Sequence, residues 1–241
     1  MIEVLRVENL TKRFGAVTVA DDLGFSLESG EALGVIGPNG AGKTSLFNMV
    51  AGSLSPSAGR VWLGDRDITS LRPDRRCRLG LGRCFQIPKP FLGLSVFENL
   101  LVAAAFGGAG RHGAEARCVQ ALDLTGLAPK ANSLAATLTL LERKRLELAR
   151  AVAGRPRVLL LDEIAGGLTQ DECASLIAAV KSIRETGVSI VWIEHIVHAL
   201  LAVVDRLMVL NQGRKLLDGE PRAVMASLEV KEIYLGAEAN G

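Results

Sequence analysis

The run Gly37-Pro38-Asn39-Gly40-Ala41-Gly42-Lys43-Thr44 reads G-x-x-x-x-G-K-T and carries the strongest chemical signal in the chain. Glycine backbones fold tightly enough to aim consecutive N–H groups at one anion. Lys43 is long enough to reach the outer phosphates of a nucleoside triphosphate, and the Thr44 hydroxyl suits a bound Mg²⁺. Context separates such a loop from an ordinary glycine-rich turn. The apolar run Ala32 to Ile36 suits a buried strand before it, Ser45 to Ala51 suits a helix after it, and Gly52 suits that helix's stop. The N-terminus of such a helix adds partial positive charge where the phosphates would lie.

A second signal is Arg157-Val-Leu-Leu-Leu-Asp-Glu163, an apolar strand that ends in two carboxylates. Ligands of open α/β sheets sit at the carboxyl ends of strands, which predicts that this end lies beside the phosphate loop. Asp162 would then orient Mg²⁺ and its waters, and Glu163 would act as general base on an attacking water. Gln86 follows Arg83-Cys84-Phe85 at the end of an apolar run, and His195 closes Val191-Trp-Ile-Glu-His195, another strand end. An amide oxygen at Gln86 could meet Mg²⁺ or the water, and His195 could donate to the γ-phosphate. Met alone, a glutamine is usually a surface residue and a histidine a structural one; His112 and His198 have no comparable context. Thr139 with Glu142, and Thr169 with Glu172, match the capping box that opens a helix.

These residues need a scaffold, and the chain's patterning supplies one. Val4 to Leu10 alternates like a half-buried strand, Thr11 to Gly15 reads as a turn, and Val17 to Ala20, Gly24 to Leu27 and Arg60 to Leu63 are further short strands. Pro73 to Gly80 reads as a helix bearing Arg72, Arg75, Arg76 and Arg78, a charge run whose ordinary meaning is a solvated face. From Phe91 to about Ala153 helical periodicity takes over, with helices at Ser95 to Phe106, Gly113 to Leu124 and Leu140 to Ala153. Strands return at Arg157 to Leu161, Val188 to Ile193 and Arg206 to Leu210, with a helix over Asp171 to Glu185. The tail is expected to be helical over Arg222 to Leu235 and to fray over Gly236 to Gly241. Alternating strands and helices predict an α/β fold with a mostly parallel sheet.

Composition narrows the class. A length of 241 residues and 49% hydrophobic content allow one domain with a sizeable core. A net charge of +2 argues neither for nor against nucleic acid. The four cysteines, Cys77, Cys84, Cys118 and Cys173, form no C-x-x-C pair, which fits reduced thiols and offers no metal site. The first residues carry early charges and lack the apolar region of a signal peptide. The best membrane candidate, Ile196 to Leu210, is too short to span and is interrupted by His198, Asp205 and Arg206. A soluble chain, carried to any membrane by other subunits, is the expectation.

The order of these motifs resembles the nucleotide-binding subunit of ATP-binding cassette (ABC) transporters over nearly the whole chain. Gly37 to Thr44 stands where that family has its Walker A loop, Gln86 its Q-loop, Arg157 to Glu163 its Walker B strand, Ala165 to Leu168 its D-loop and His195 its switch histidine. Phe14 stands at the aromatic residue on which adenine stacks. The resemblance implies a P-loop NTPase core with an N-terminal antiparallel β-subdomain, over 1–86 and 154–241, and an inserted helical subdomain over 87–153. It implies ATP and Mg²⁺ as cofactors, with catalysis by Lys43, Gln86, Glu163 and His195. Nucleotide would be held by Phe14, Gly37, Pro38, Asn39, Gly40, Ala41, Gly42, Lys43, Thr44 and Ser45, with Thr139 meeting the partner subunit's ATP, and Mg²⁺ by Thr44, Gln86 and Asp162. Implied partners are two transmembrane permease subunits, a second ATPase subunit of the same or a paralogous chain, and indirectly a periplasmic substrate-binding protein, with no nucleic acid. The implied location is the cytoplasmic face of the bacterial inner membrane. Phe85-Gln-Ile-Pro-Lys-Pro-Phe91, Ser95-Val-Phe-Glu-Asn-Leu100, Asp218-Gly-Glu-Pro221 and Glu232-Ile-Tyr-Leu-Gly236 resemble the branched-chain amino acid importers.

Two departures from the family pattern matter. The signature Leu-Ser-Gly-Gly-Gln, which meets the γ-phosphate on the partner subunit, stands here as Leu138-Thr-Leu-Leu-Glu142. Thr139 keeps a hydroxyl, but both glycines are gone and Glu142 brings a carboxylate toward a phosphate. Ile164 replaces the proline usual after the Walker B glutamate. The alternative that follows is a catalytically impaired, regulatory nucleotide-binding subunit. A soluble ABC protein of translation or repair would carry tandem cassettes or a coiled-coil insertion, and neither is present. A GTPase would need Asn-Lys-x-Asp, which Asn211-Gln-Gly-Arg214 does not supply.

Overall fold

A computed structural model describes the chain from residue 2 to residue 238, with side chains to residue 233. The fold is α/β with two sheets. Five residues each form β3 (Ala32–Ile36), β7 (Val158–Asp162) and β8 (Ser189–Ile193), and every one is buried. Strands covered on both faces must be apolar throughout, which is why these runs are legible without alternation. They align in parallel with β6 (Leu81–Cys84) and β9 (Arg206–Asn211), and β10 (Arg214–Gly219) closes one edge antiparallel, in the order β10-β9-β3-β8-β7-β6. The carboxyl ends of β3, β6, β7 and β8 therefore lie along one rim.

The second sheet is antiparallel, in the order β2-β1-β4-β5, from β1 (Glu3–Phe14), β2 (Val17–Glu28), β4 (Ala58–Leu63) and β5 (Arg66–Asp67). Its first two strands are longer than the sequence pattern suggests. The expected turn at Thr11 to Gly15 is strand as far as Phe14, and the two short strands after it are one. Register shifts along the β1–β2 pair break the alternation, and Asn9 and Asp22 take positive φ of 49° and 57° there. Their side chains hold each other, Asn9 Nδ2 donating to Asp22 Oδ1 at 2.7 Å. Asn and Asp tolerate that backbone better than other non-glycine residues.

Between β6 and β7 the chain forms α3 (Val96–Phe106), α4 (Ala114–Thr125) and α5 (Leu140–Ala153), which share an apolar core that includes Leu100, Cys118, Leu122, Leu146 and Ala149. The other helices are α1 (Lys43–Ala51), α2 (Pro73–Arg78), α6 (Gln170–Glu185), α7 (Val197–Leu201), α8 (Pro221–Ala226) and α9 (Leu228–Glu238). The single helix expected in the tail is divided at Ser227. Of the stretch expected to fray, 239–241 lie outside the described residues, and α9 runs through Gly236 to Glu238. No helix among the described residues is long and apolar enough to cross a membrane.

The arginine run on α2 is not one solvated face. Arg72, Arg75 and Arg78 are exposed, but Arg76 is only 1% exposed. Its NH1 donates to Met49 O and Val50 O at 2.7 Å each, its NH2 to Thr69 O at 2.7 Å, and its Nε to Leu71 O at 2.9 Å. One guanidinium thus satisfies carbonyls at the C-terminus of α1, where negative partial charge accumulates. Burial pulls its pKa down to about 10, against the opposing charge of Asp67. Arg76→Ala should strip these carbonyls of their donors and cost about 3 kcal/mol or more. For a chain of this size that corresponds to a melting temperature lower by roughly 6–12 °C. A calorimetric scan that finds the variant within 2 °C of the parent, about the noise of such a comparison, would contradict this account.

Candidate functional site

The loop between β3 and α1 is shaped by close backbone approach. A Cβ on Gly42 would lie 2.5 Å from Val19 O, and Gly42 takes φ of +99°. Gly42 is also the N-cap of α1, and no side chain caps it. The first N–H groups of α1 are therefore directed outward without a capping acceptor. They border a cavity of about 230 Å³ lined by Val19, Asn39, Gly40, Ala41, Gly42, Lys43, Thr44, Ser45 and Glu163. Gly37 and Pro38 take part through their carbonyls, which accept from Lys43 Nζ at 2.6 and 3.0 Å. Burial holds the Lys43 ammonium below its usual pKa, opposed by the charges of Glu163 and Asp162. A mobile cation is thus folded over a nest of donors, which is a receptor for a polyanion.

The rim of the sheet brings the acidic and neutral candidates together. Glu163 follows β7 with φ of 47°, a costly backbone for a glutamate, and its N–H donates to Ile193 O at 2.8 Å. Its Oε1 lies 2.6 Å from His195 Nε2, and its Oε2 accepts from Gln86 Nε2 at 2.6 Å. So Gln86 touches Glu163 through its amide nitrogen, which leaves the amide oxygen for another partner. Asp162, at the end of β7, is 7% exposed, and its Oδ2 accepts from Arg83 NH2 at 2.7 Å. Thr44, Asp162 and Gln86 present hydroxyl, carboxylate and amide oxygens, the donor chemistry of a hard cation such as Mg²⁺.

Two residues of this rim lie outside the set that the motifs single out. Arg83 is one, and its signal is a lone charge inside a buried strand. Glu194 is the other. It is 2% exposed and accepts on Oε2 from Ala165 N at 3.2 Å and Trp192 Nε1 at 3.3 Å. Burial pushes its pKa up, and these two donors oppose the rise. Glu194 thereby fastens the start of the Ala165 to Leu168 turn to the end of β8, next to His195. Ile164, in place of a proline, is buried in the adjacent core.

Phe14 and Thr139 lie apart from the small cavity. Phe14 ends β1 with its ring 52% exposed and Lys12 Nζ 4.9 Å from its centre. It lines a second, mostly apolar cavity of about 670 Å³ with Asn48, Leu54, Cys77, Arg83 and Phe85 among others; Ser45 borders both cavities. Thr139 is the N-cap of α5. Its Oγ1 accepts from Glu142 N at 3.3 Å, and its own N–H donates to Glu142 Oε2 at 2.9 Å. Lys130 Nζ stands 3.4 Å from Glu142 Oε1. The Glu142 carboxylate is thus turned back into the helix start, and its pKa is lowered chiefly by the Thr139 backbone donor.

Known proteins resemble this chain in sequence and in fold. The family profile described as ABC transporter matches residues 20–166. The high-affinity branched-chain amino acid transport ATP-binding protein BraF of Pseudomonas aeruginosa is 34% identical, over 97% of this chain and 98% of the relative. The lipopolysaccharide export system ATP-binding protein LptB of Escherichia coli K12 is 32% identical, over 97% of this chain and 98% of the relative. The solved structure of MJ1267 in its ADP conformation, an ATP-binding cassette of an ABC transporter, superposes with a TM-score of 0.89 at 28% identity, over 98% of this chain and all of that one.

The loop geometry makes a contrast that can be measured. A Cβ on Gly40 meets nothing within 4 Å, whereas one on Gly42 meets a backbone carbonyl. Both positions have positive φ, so Gly40→Ala should cost only about 1–2 kcal/mol of backbone strain. Gly42→Ala must also push β2 away from α1, and its melting temperature should fall clearly further. Equal melting temperatures for the two variants would show that close packing at Val19 is not what demands glycine.

Proposed function

Because this chain belongs to the ABC transporter family as an ATP-binding, ATP-hydrolysing subunit, we propose that its transporter is an importer of branched-chain amino acids or related small molecules. The observation that carries the catalytic part is the Glu163 carboxylate, held between His195 and Gln86 at the edge of the phosphate-loop cavity. The importer reading rests on the Phe85 to Phe91 and Ser95 to Leu100 stretches and on relatives such as BraF. Export, as named for LptB, is the competing outcome.

The chain's own residues suffice to describe the steps. The α1 N–H groups and Lys43 receive the β- and γ-phosphates, and Lys43 exchanges the Gly37 and Pro38 carbonyls for phosphate oxygens. Thr44, Asp162 and Gln86 would hold Mg²⁺, which would supply charge neutralisation at the phosphates. Glu163 orients a water for in-line attack on the γ-phosphorus and accepts its proton, while the bond from that phosphorus to the bridging oxygen breaks. The products are ADP and phosphate, with no covalent enzyme intermediate. His195 keeps Glu163 in place and can donate to the departing phosphate. Phe14 offers its exposed ring to adenine.

Thr139 does not line the cavity that its own chain's phosphate loop forms. It serves instead the ATP of a second ATPase subunit, so two such chains enclose two nucleotides. The apolar cavity beside Phe85, which Pro73 and Cys77 of α2 also line, receives a segment of one permease subunit, and the second ATPase subunit receives the other. The permease subunits hold the chain at the cytoplasmic face of the bacterial inner membrane, where a periplasmic binding protein delivers the substrate. ATP-driven closure and hydrolysis-driven opening of the pair would then drive alternating access.

Reconstitution of the chain with its permeases and partner ATPase in proteoliposomes tests both halves. Radiolabelled leucine should accumulate with ATP. Outward movement of a lipid substrate instead, with no amino acid uptake, would decide for export. Glu163→Gln should keep ATP binding within a few-fold and lower turnover by about a hundredfold or more, the scale of a lost general base; equal turnover in both proteins removes Glu163 from the chemistry. Thr139→Arg should lower the activity of the assembled complex, since a bulky cation replaces a capping hydroxyl. Full activity would show that Thr139 is not a required contact.

A further inference from the structure

Arg83 joins two features of the molecule that are otherwise separate. It stands on β6 opposite Leu160 of β7, two positions before Asp162. Its guanidinium is held on one side by Asp162 Oδ2 at 2.7 Å through NH2 and by Asn48 Oδ1 at 2.8 Å through NH1. On the other side it lies 4.7 Å from the centre of the Phe85 ring and 5.9 Å from that of Phe47. The side chains of Arg83 and Asp162 are 11% and 10% exposed, so water screens their attraction weakly. Arg83 Nε is buried and makes no hydrogen bond. Arg83, Asn48 and Phe85 also form part of the wall of the apolar cavity of about 670 Å³.

We infer that Arg83 is a positioning residue through which occupancy of the apolar cavity controls the availability of Asp162 to a divalent cation. This rests on the proposed roles of Asp162 as metal ligand and of the cavity as permease dock. The guanidinium already neutralises the carboxylate, and a second cation at the same group meets repulsion in a poorly screened place. Arg83 in its observed position therefore weakens cation binding at Asp162. Its other contacts are an amide oxygen and two aromatic faces, all weaker than the ion pair. Phe85 is 48% exposed at the cavity, so a segment entering there competes with the guanidinium for the ring that supports it and loosens Arg83 from its place. Displacing Arg83 from Asp162 frees the carboxylate, and the cation is then held best when the partner is docked.

Calorimetric titration of ATP into the purified chain, in Mg²⁺ and in chelator, gives the readout as a ratio of affinities without any need for turnover. Arg83→Met should raise that ratio about tenfold, the factor equivalent to one modest charge repulsion. Phe85→Ala, at an exposed position outside the site, should raise it in the same direction by a smaller factor, about threefold. It keeps the test decisive if Arg83→Met does not fold. In the complex with permeases, the parent ratio should approach that of Arg83→Met. The inference is overturned if Asp162→Asn abolishes the Mg²⁺ effect while both other variants leave it unchanged. Persistence of the full Mg²⁺ effect in Asp162→Asn would overturn the metal reading itself, and the inference with it. A parent ratio that does not change on assembly would overturn the link to docking.

Discussion

Adjacent carboxylates at the end of a buried strand repel each other unless each is held by its own donors. Asp162 and Glu163 are held separately, the first by Arg83 and the second by Gln86 and His195. The sheet order makes this possible. β6 lies on one side of β7 and brings both Arg83 and the Gln86 turn; β8 lies on the other and brings His195. Exchange of either neighbour, or a slip of register by one residue, would send these side chains to the opposite face. The arrangement of the parallel strands is thus set as much by the electrostatics of one rim as by burial of the core.

Helix α1 ties that rim to the rest of the chain. Its N-terminus borders the small cavity, its flank lines the large one, and its last carbonyls are gripped by Arg76. Its nine residues span only roughly 13 Å. A body that short and that firmly held moves as a unit, so a load on its flank is felt at its N-terminus. The structure therefore places the walls of the small and the large cavity on one short helix, with Arg83 bridging from the neighbouring strand.

What could be read from the sequence follows from which interactions are local. The phosphate loop depends on glycines and a following helix, all within a short segment, and the fully buried strands β3, β7 and β8 announce themselves by unbroken apolar runs. The capping boxes at Thr139 and Thr169 are local too, and both form as their spacing suggests. Arg76 could not be read in this way. Two of its partners are carbonyls of α1, more than twenty positions away, and nothing near Arg76 reveals them. Arg83 interrupts the apolar run of β6, and β10 is a half-exposed edge whose polar residues hide its strand character. The long β1 and β2 are obscured by their register shifts, which break the alternation on which a strand is read.

The backbone of Glu163 has a consequence for how such a protein can diverge. A glutamate at φ of 47° sits where glycine or asparagine would rest more comfortably. Replacement by either relieves strain and removes the carboxylate in the same step, so under the role proposed for Glu163 folding and turnover would favour different residues at this position. A lineage released from the need to hydrolyse ATP would gain stability by losing this side chain.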